Sequence, residues 1–206
     1  FLGITISMNG IISGATVAIG FAGYLSGLIG TYILLNALGI ILLLFGVNAT
    51  GIRSSSIVNI IFTIIEAGGL FFVIYVALPY LGDVNYLESP PEGNNGILAA
   101  SALAFFAYIG FEEIVKLAEE TKSPEKNIPK ALFAASAIVM VMYSLVAISA
   151  VSVIPYLELG KSSSPLAMII GKDYGQTGVI IISVIALFAT SNTILSNMVG
   201  SSRVLL

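Results

Sequence analysis

Apolar residues fill long stretches of this chain, and polar or charged residues gather in the short segments between them. A bilayer core of roughly 30 Å needs about 20 apolar residues at the rise of an α-helix. The stretches are too long and too uniformly apolar to alternate as the strands of a membrane barrel do. Six helices are predicted, covering Phe1–Ser26, Thr31–Val47, Ser55–Leu78, Gly96–Lys116, Ile128–Ile154 and Gly175–Val204. The fold class predicted from this pattern is all-α, a polytopic membrane protein.

The segments that connect these helices are short, with one exception. A tight turn at Gly27–Gly30 joins the first two helices. Residues 82–95 are polar, contain prolines and carry the acids Asp83, Glu88 and Glu92, so we expect an exposed loop there. The chain begins and ends inside apolar runs, and we therefore expect it to be a piece of a longer protein. Its first run lacks the basic leading region of a signal peptide.

Composition excludes several classes of function. Hydrophobic residues make up 57% of the chain and charged residues 9%, against roughly 25% charged residues in soluble domains. The chain contains neither Cys nor His, so disulfides, imidazole metal sites and a serine–histidine catalytic pair cannot form within it. We expect no cofactor, no metal site and no enzymatic reaction. No basic face for nucleic acid is present either.

The positions of the basic residues predict the orientation in the membrane, because Lys and Arg concentrate in cytoplasmic loops. One side carries most of them, namely Arg53, Lys116, Lys122, Lys126, Lys130 and Arg203, and the other side carries Lys161 and Lys172. The first side is therefore predicted to be cytoplasmic, and the acidic loop at residues 82–95 is predicted to face outward.

Glu66 lies near the middle of the third predicted helix, where an acidic side chain costs roughly 2.5 kcal/mol or more in a bilayer. Such a group must be neutral, paired or hydrated. One interpretation is a carboxylate that takes up a proton or binds an ion during function. The alternative is a protonated Glu that hydrogen-bonds between helices, because Asn59 and Thr63 lie on a similar face of the same helix.

The fourth predicted helix contains a glycine at mid-depth. At the helical rise, Gly96–Phe105 covers about 15 Å, which puts Phe106–Gly110 at the bilayer midplane. A break at Gly110 would expose backbone carbonyls, which are tolerated at this depth only inside protein or beside a cavity, and such breaks form substrate sites in transporters. A small residue at a helix contact is the alternative explanation. Glu112 follows directly and is expected to point into an internal vestibule.

The sixth predicted helix carries more hydroxyls and amides than contact with lipid would favour. Thr190, Ser191 and Asn192 are consecutive within it. Polar contact between helices explains such residues. The other interpretation is a sodium site, because these side chains supply the hard oxygen ligands that such a cation needs.

Two consecutive motifs resemble one family of membrane proteins. The sequence F-F-A-Y-I-G-F-E-E at residues 105–113 is followed by L-A-E-E-T-K-S-P-E-K-N-I-P-K-A-L at residues 117–132. Together they resemble the sixth helix and the following cytoplasmic loop of the amino acid–polyamine–organocation superfamily of permeases. Shorter similarities lie at Ala15–Tyr24, Gly51–Asn59 and Ser201–Leu206. The resemblance therefore extends over nearly the whole chain.

The resemblance implies an inverted-repeat fold of two five-helix units, of which this chain supplies helices three to eight. Residues 1–78 would be helices three to five of the first repeat, residues 79–95 an extracellular loop, and residues 96–206 helices six to eight. The chain would form one transmembrane transporter domain together with the remaining helices of a longer protein. Alone, it is not expected to transport.

The resemblance also implies roles for individual residues. Phe106 would be an aromatic gate over the substrate, and the carbonyls of Phe106, Ala107 and Ile109 would accept hydrogen bonds from the substrate amine. Tyr108 and Gly110 belong to the same broken segment. Glu112 matches a position where some members carry an acidic residue tied to gating. At Glu66 several members carry a lysine instead, and a carboxylate there is compatible with proton coupling and equally with a bound cation.

The function expected from sequence is secondary active transport of an amino acid across the cytoplasmic membrane by alternating access. Coupling to protons through Glu66 or Glu112, as symport or exchange, is the expected mechanism, with sodium as the alternative ion. The partners expected are the amino acid, the coupling ion and the lipid bilayer. A different hypothesis is a non-catalytic membrane subunit or an ion-conducting component of a larger complex.

Overall fold

The computed structural model describes residues 2–88, 93–107, 114–115, 118, 121–162 and 164–204. Its helices are α1 (Leu2–Ile29), α2 (Ile33–Ala49), α3 (Ile52–Ala77), α4 (Gly93–Ala107), α5 (Pro124–Val153), α6 (Tyr156–Leu159) and α7 (Pro165–Val204), and a 3₁₀ turn covers Leu78–Tyr80. Within these ranges no strand is present. Four of the described helices are long and apolar enough to cross a membrane, and α2 is a shorter apolar helix. The prediction of an all-α polytopic membrane protein is confirmed.

Helix ends depart from the predicted boundaries where polar residues continue a helix. The third helix begins at Ile52 rather than Ser55, and the fifth begins at Pro124 rather than Ile128. Pro124 occupies the first helical position, where the fixed φ of proline suits the helix and the missing N–H removes no bond. A count of apolar residues misses such starts, because the residues of these first turns, such as Arg53 and Glu125, are mostly polar.

The turn between α1 and α2 lies later than predicted. α1 continues to Ile29, and Gly30 adopts φ 70° while its N–H donates to the carbonyl of Ser26 at 2.8 Å. A left-handed residue after the last turn satisfies a terminal carbonyl, and glycine adopts this conformation without strain. The Gly27–Gly30 turn predicted from sequence is therefore confined to its final residue and the two that follow.

The seventh helix bends sharply at Gly175, which has φ 55° and ψ −143°. We call residues 165–174 the outer arm and residues 176–204 the long arm. A Cβ placed on Gly178 would lie 2.6 Å from Cγ2 of Ile170. Residues eight apart in a straight helix are separated by about 12 Å along its axis, so the outer arm folds back against the long arm. The predicted sixth helix corresponds to the long arm, and the outer arm was not predicted.

The long arm of α7 lies at the centre of the packed helices. With α1 and α2 it buries a cluster that includes Ala18, Ala22, Leu44, Ile194 and Leu195. A second cluster joins the outer arm and Ile182 to the final turns of α3 and α5, and it includes Val73, Val76, Val153, Ile169 and Ile170. The two clusters hold α3 and α7 side by side, so the polar residues in the middle of these helices face each other.

Candidate functional site

The segment predicted to contact substrate is described only in part. Phe106 and Ala107 are the last two residues of α4. Tyr108, Ile109, Gly110 and Glu112 lie outside the described residues. The substrate-binding role assigned to this segment, and the gating role of Glu112, therefore stay predictions.

Glu66 lies in the middle of α3, about 21 Å along the axis from Ile52 and about 17 Å from Ala77. Its side chain is partly buried and faces α7. The amide nitrogen Nδ2 of Asn192 donates to Oε2 of Glu66 at 3.5 Å and to the Thr63 hydroxyl at 3.0 Å. The structure therefore brings together Glu66 and one member of the predicted ion site, Asn192, from opposite sides of a helix interface.

Two further polar contacts join the same group of helices. One turn along the interface, Nδ2 of Asn59 donates to the hydroxyl of Ser196 at 3.0 Å. On the other side of the long arm, Nδ2 of Asn197 donates to the hydroxyl of Ser13 in α1 at 3.2 Å. Polar pairs between transmembrane helices contribute roughly 0.6–2 kcal/mol each. The long arm is thus tied to both α1 and α3 by asparagine side chains.

The hydroxyls of the other two residues of the predicted ion site donate hydrogen bonds within their own helix. The hydroxyl of Thr190 donates to the carbonyl of Ala186 at 2.7 Å, and that of Ser191 donates to the carbonyl of Leu187 at 2.7 Å. Such bonds to the preceding turn are common for hydroxyl residues within helices. Among these three consecutive residues, Asn192 is the one whose described hydrogen bonds cross to another helix.

A cavity of about 170 Å³ lies beside Glu66. Its wall is mostly apolar, formed by Gly69 and Leu70 of α3 and by Ile182, Ile185, Ala186 and Ala189 of the long arm, with Leu166 and Ala167 of the outer arm. Polar atoms come from Glu66, from Tyr24 of α1 and from Ser164, which directly precedes the outer arm. A space of this size accommodates several water molecules where polar partners are present. The carboxyl group therefore borders a small chamber that the outer arm covers.

A cluster of polar contacts at the 3₁₀ turn after α3 holds the outer arm in place. The Tyr80 hydroxyl donates to Oδ1 of Asp173 at 2.6 Å. The Lys172 ammonium donates to the carbonyl of Val153 at 2.9 Å and lies 4.3 Å from the centroid of the Tyr80 ring. Sequence reasoning missed this cluster. The one available signal was the charged pair Lys172–Asp173 directly before Tyr174 and Gly175, at a point where an apolar run stops.

The α3–α7 interface contains a carboxyl group, which can bind a proton or a cation. A carboxyl group at mid-depth changes between a charged and a neutral form, and the two forms differ greatly in their cost inside a membrane. In the described part of the chain, the hydrogen-bonding partner of Glu66 is the amide of Asn192. Among the same residues, no group of His, Cys, Asp and Glu is placed to hold a metal ion.

Comparisons with known proteins identify the family. A family model described as amino acid permease matches residues 1–206, the whole chain. The chain is 31% identical over 179 residues to the branched-chain amino acid permease BcaP of Bacillus subtilis, covering 85% of this chain and 38% of the permease. This chain therefore belongs to the amino acid permease family.

Two other relatives match almost the full length of the chain. An uncharacterized protein of Methanocaldococcus jannaschii is 30% identical over 210 residues, which cover 98% of this chain and 48% of that protein. The chloroplastic cationic amino acid transporter 7 of Arabidopsis thaliana is 28% identical over 229 residues, covering 98% of this chain and 39% of the transporter. The chain thus spans about half the length of the first of these relatives and less of the others.

Proposed function

We propose that this chain, as a member of the amino acid permease family, forms the central part of a secondary transporter that carries an amino acid across the cytoplasmic membrane by alternating access. The match of the family model to the whole chain supports the substrate class. So do the names of relatives that are a branched-chain amino acid permease and a cationic amino acid transporter. No covalent step is needed, because transport changes only the position of the substrate.

The substrate is proposed to bind at Phe106–Gly110, with carbonyls of this segment accepting hydrogen bonds from its ammonium group. α4 begins at Gly93, and its apolar run begins at Gly96. From Gly96 the helix reaches Ala107 after about 17 Å, which is close to the middle of a bilayer core of roughly 30 Å. An unwound segment at this depth would supply free carbonyls without a charged side chain.

Coupling is proposed to use Glu66 as the group that carries a proton. The observation that carries this proposal is a carboxyl group in the middle of a helix long enough to cross a membrane, beside a cavity and against an amide of the facing helix. A carboxyl group that loses its proton there gains a charge that the membrane disfavours, and this makes its neutral and charged forms prefer different surroundings. A permanent ion pair would remove that preference, and none forms with Glu66 among the described residues.

The test is uptake of radiolabelled amino acids into proteoliposomes that contain the full-length protein. Glu66→Gln keeps the size and polarity of the side chain but holds it permanently neutral. We expect it to abolish accumulation driven by an inward proton gradient while exchange of internal for external substrate continues. Glu125→Gln, at the exposed start of α5, serves as the control and should retain accumulation. Gradient-driven uptake in Glu66→Gln would refute the coupling role, and absence of any amino acid uptake by the unmodified protein would favour a membrane subunit instead.

A further inference from the structure

Among the described residues, the amide group of Asn192 makes hydrogen bonds through its nitrogen and not through its oxygen. Its nitrogen donates to both Thr63 and Glu66. Its oxygen Oδ1 is buried and has no hydrogen-bonding partner among the described residues. A buried acceptor left without a donor is unfavourable, and most such groups in proteins are paired. The orientation shown is therefore stabilised by what the nitrogen contacts, namely a hydroxyl oxygen and the Glu66 carboxylate.

Among the described residues, no charged side chain of a neighbouring helix bonds to Glu66. Tyr24 of α1 is the other titratable side chain on the described wall of the cavity. α2 contains no charged residue, and the charged residues of α5 all lie within 125–130 at one of its ends. At the opposite end of the bundle, Lys172 and Asp173 of α7 bond to Val153 and Tyr80. The amide of Asn192 is thus the described group that responds most directly to the charge of Glu66.

An asparagine side chain can form a hydrogen bond with either the ionised or the protonated form of a carboxyl group. The ionised form accepts hydrogen bonds only, and Nδ2 supplies a donor. The protonated form has an O–H that must donate, and a half-turn about the Cβ–Cγ bond of Asn192 places Oδ1 where Nδ2 was. In that orientation Oδ1 also accepts from the Thr63 hydroxyl, and Nδ2 takes the buried position that Oδ1 held. Leucine has a similar shape but no hydrogen-bonding group, so it would form a hydrogen bond with neither form.

We propose that Asn192 is the positioning residue for the coupling carboxylate: its amide rotates when Glu66 gains or loses a proton. This rotation couples the protonation state of Glu66 to the contact between α3 and the long arm of α7. The inference rests on the proposed coupling role of Glu66. The distance of 3.5 Å between Nδ2 and Oε2 is longer than the roughly 2.7–3.2 Å that is typical of N–H···O hydrogen bonds. A relative movement of the two helices by a few tenths of an ångström therefore decides whether the bond forms.

The direction of the effect follows from the relative strengths of the two bonds. Asn192→Leu removes a charge-assisted bond from the ionised form and a neutral bond from the protonated form. Charge-assisted hydrogen bonds are roughly twice as strong as neutral ones, so the ionised form loses more. We expect the midpoint of the pH profile of uptake to move to higher pH by about one unit, a tenfold change in the ratio of the two forms.

The same interface provides a matched control. Asn59→Leu deletes an asparagine of α3 whose Nδ2 bonds across to Ser196 at 3.0 Å, one turn from Thr63 and away from the carboxyl group. Loss of packing or of an interhelical bond alone would affect both variants equally. A shift of the midpoint in Asn192→Leu with no shift in Asn59→Leu supports the proposal, and equal shifts in the two variants overturn it.

Two more variants keep the test decisive. Asn192→Gln retains the amide on a longer stem and should restore the midpoint to within a few tenths of a pH unit; an unrestored midpoint counts against a role for the amide. In a Glu66→Gln background, Asn192→Leu should produce no further shift. If Glu66→Gln itself leaves the pH profile intact, the coupling proposal fails. If Glu66→Gln flattens the profile while Asn192→Leu leaves the midpoint unchanged, coupling stands and the role of Asn192 is refuted.

Discussion

Adjacent glycines in α3 give a sharp test of how closely this helix packs against α7. A Cβ on Gly69 would collide with Cγ2 of Ile185 and lie 3.1 Å from its Cδ1 and 3.4 Å from its Cβ. A Cβ on Gly68 would meet nothing within 4 Å. The substitution Gly69→Ala therefore inserts a methyl group into the interface that holds Glu66, and Gly68→Ala adds the same group to an open surface.

Two effects of the Gly69→Ala substitution change the free energy of unfolding in opposite directions. Replacement of a glycine by alanine within a helix contributes about 0.5–1 kcal/mol of stability, and this gain is common to both variants. Overpacking of a filled interface costs about 1–3 kcal/mol. Ile185 is β-branched and lies within α7, where one χ1 rotamer is strongly preferred. Rotation of its side chain therefore does not relieve the contact cheaply, and the upper part of that range applies. We expect Gly69→Ala to be less stable than Gly68→Ala by about 2–3 kcal/mol.

Thermal unfolding of both full-length variants, purified in the same detergent, measures this difference. Gly68→Ala should unfold at or above the temperature of the unmodified protein, and Gly69→Ala should unfold below it. The second variant should also lose transport, because the displaced wall is one turn from Glu66. Equal unfolding temperatures for the two variants would refute the close approach of α3 and α7 on which the candidate site depends.

Two further predictions concern the outer arm. Lys172→Met removes the ammonium that bonds to the carbonyl of Val153 and lies over the Tyr80 ring, so amide hydrogen exchange in the outer arm should become faster. The control Lys161→Met should leave the exchange rate unchanged. An unchanged rate in Lys172→Met would show that this cluster does not hold the arm. Gly175→Ala places a side chain at φ 55° and ψ −143°, a conformation that costs a non-glycine residue about 1–3 kcal/mol. Its unfolding temperature should fall, and an unchanged value would mean that the bend does not need this backbone conformation.

The fold class followed from the sequence because a bilayer imposes strong rules on length and polarity. Apolar stretches near 20 residues predict membrane-crossing helices with little ambiguity, and the long helices of the structure lie where these stretches occur. The outer arm escaped prediction for the same reason. Residues 165–174 are too few to span a bilayer and are followed by polar residues. Their packing against the long arm is a contact that a local pattern does not show.

The candidate site was predicted as separate residues and not as an arrangement. Glu66 is conspicuous in sequence because a carboxyl group at mid-membrane is costly. Its partner Asn192 is 126 residues further along the chain, and no spacing rule connects two positions on different helices. Helical periodicity placed Asn59 and Thr63 on one face of α3 with Glu66, but it did not distinguish Asn192 from Thr190 and Ser191. That distinction depends on which side of α7 faces α3, which packing decides.

The measurement that tests the central claim most directly is uptake of a panel of labelled amino acids by proteoliposomes containing the full-length protein, with and without an imposed inward proton gradient. The account predicts accumulation of at least one amino acid above equilibrium only when the gradient is present, and loss of that accumulation in Glu66→Gln. Uptake that ignores the gradient, or accumulation that persists in Glu66→Gln, would contradict proton coupling through this carboxyl group.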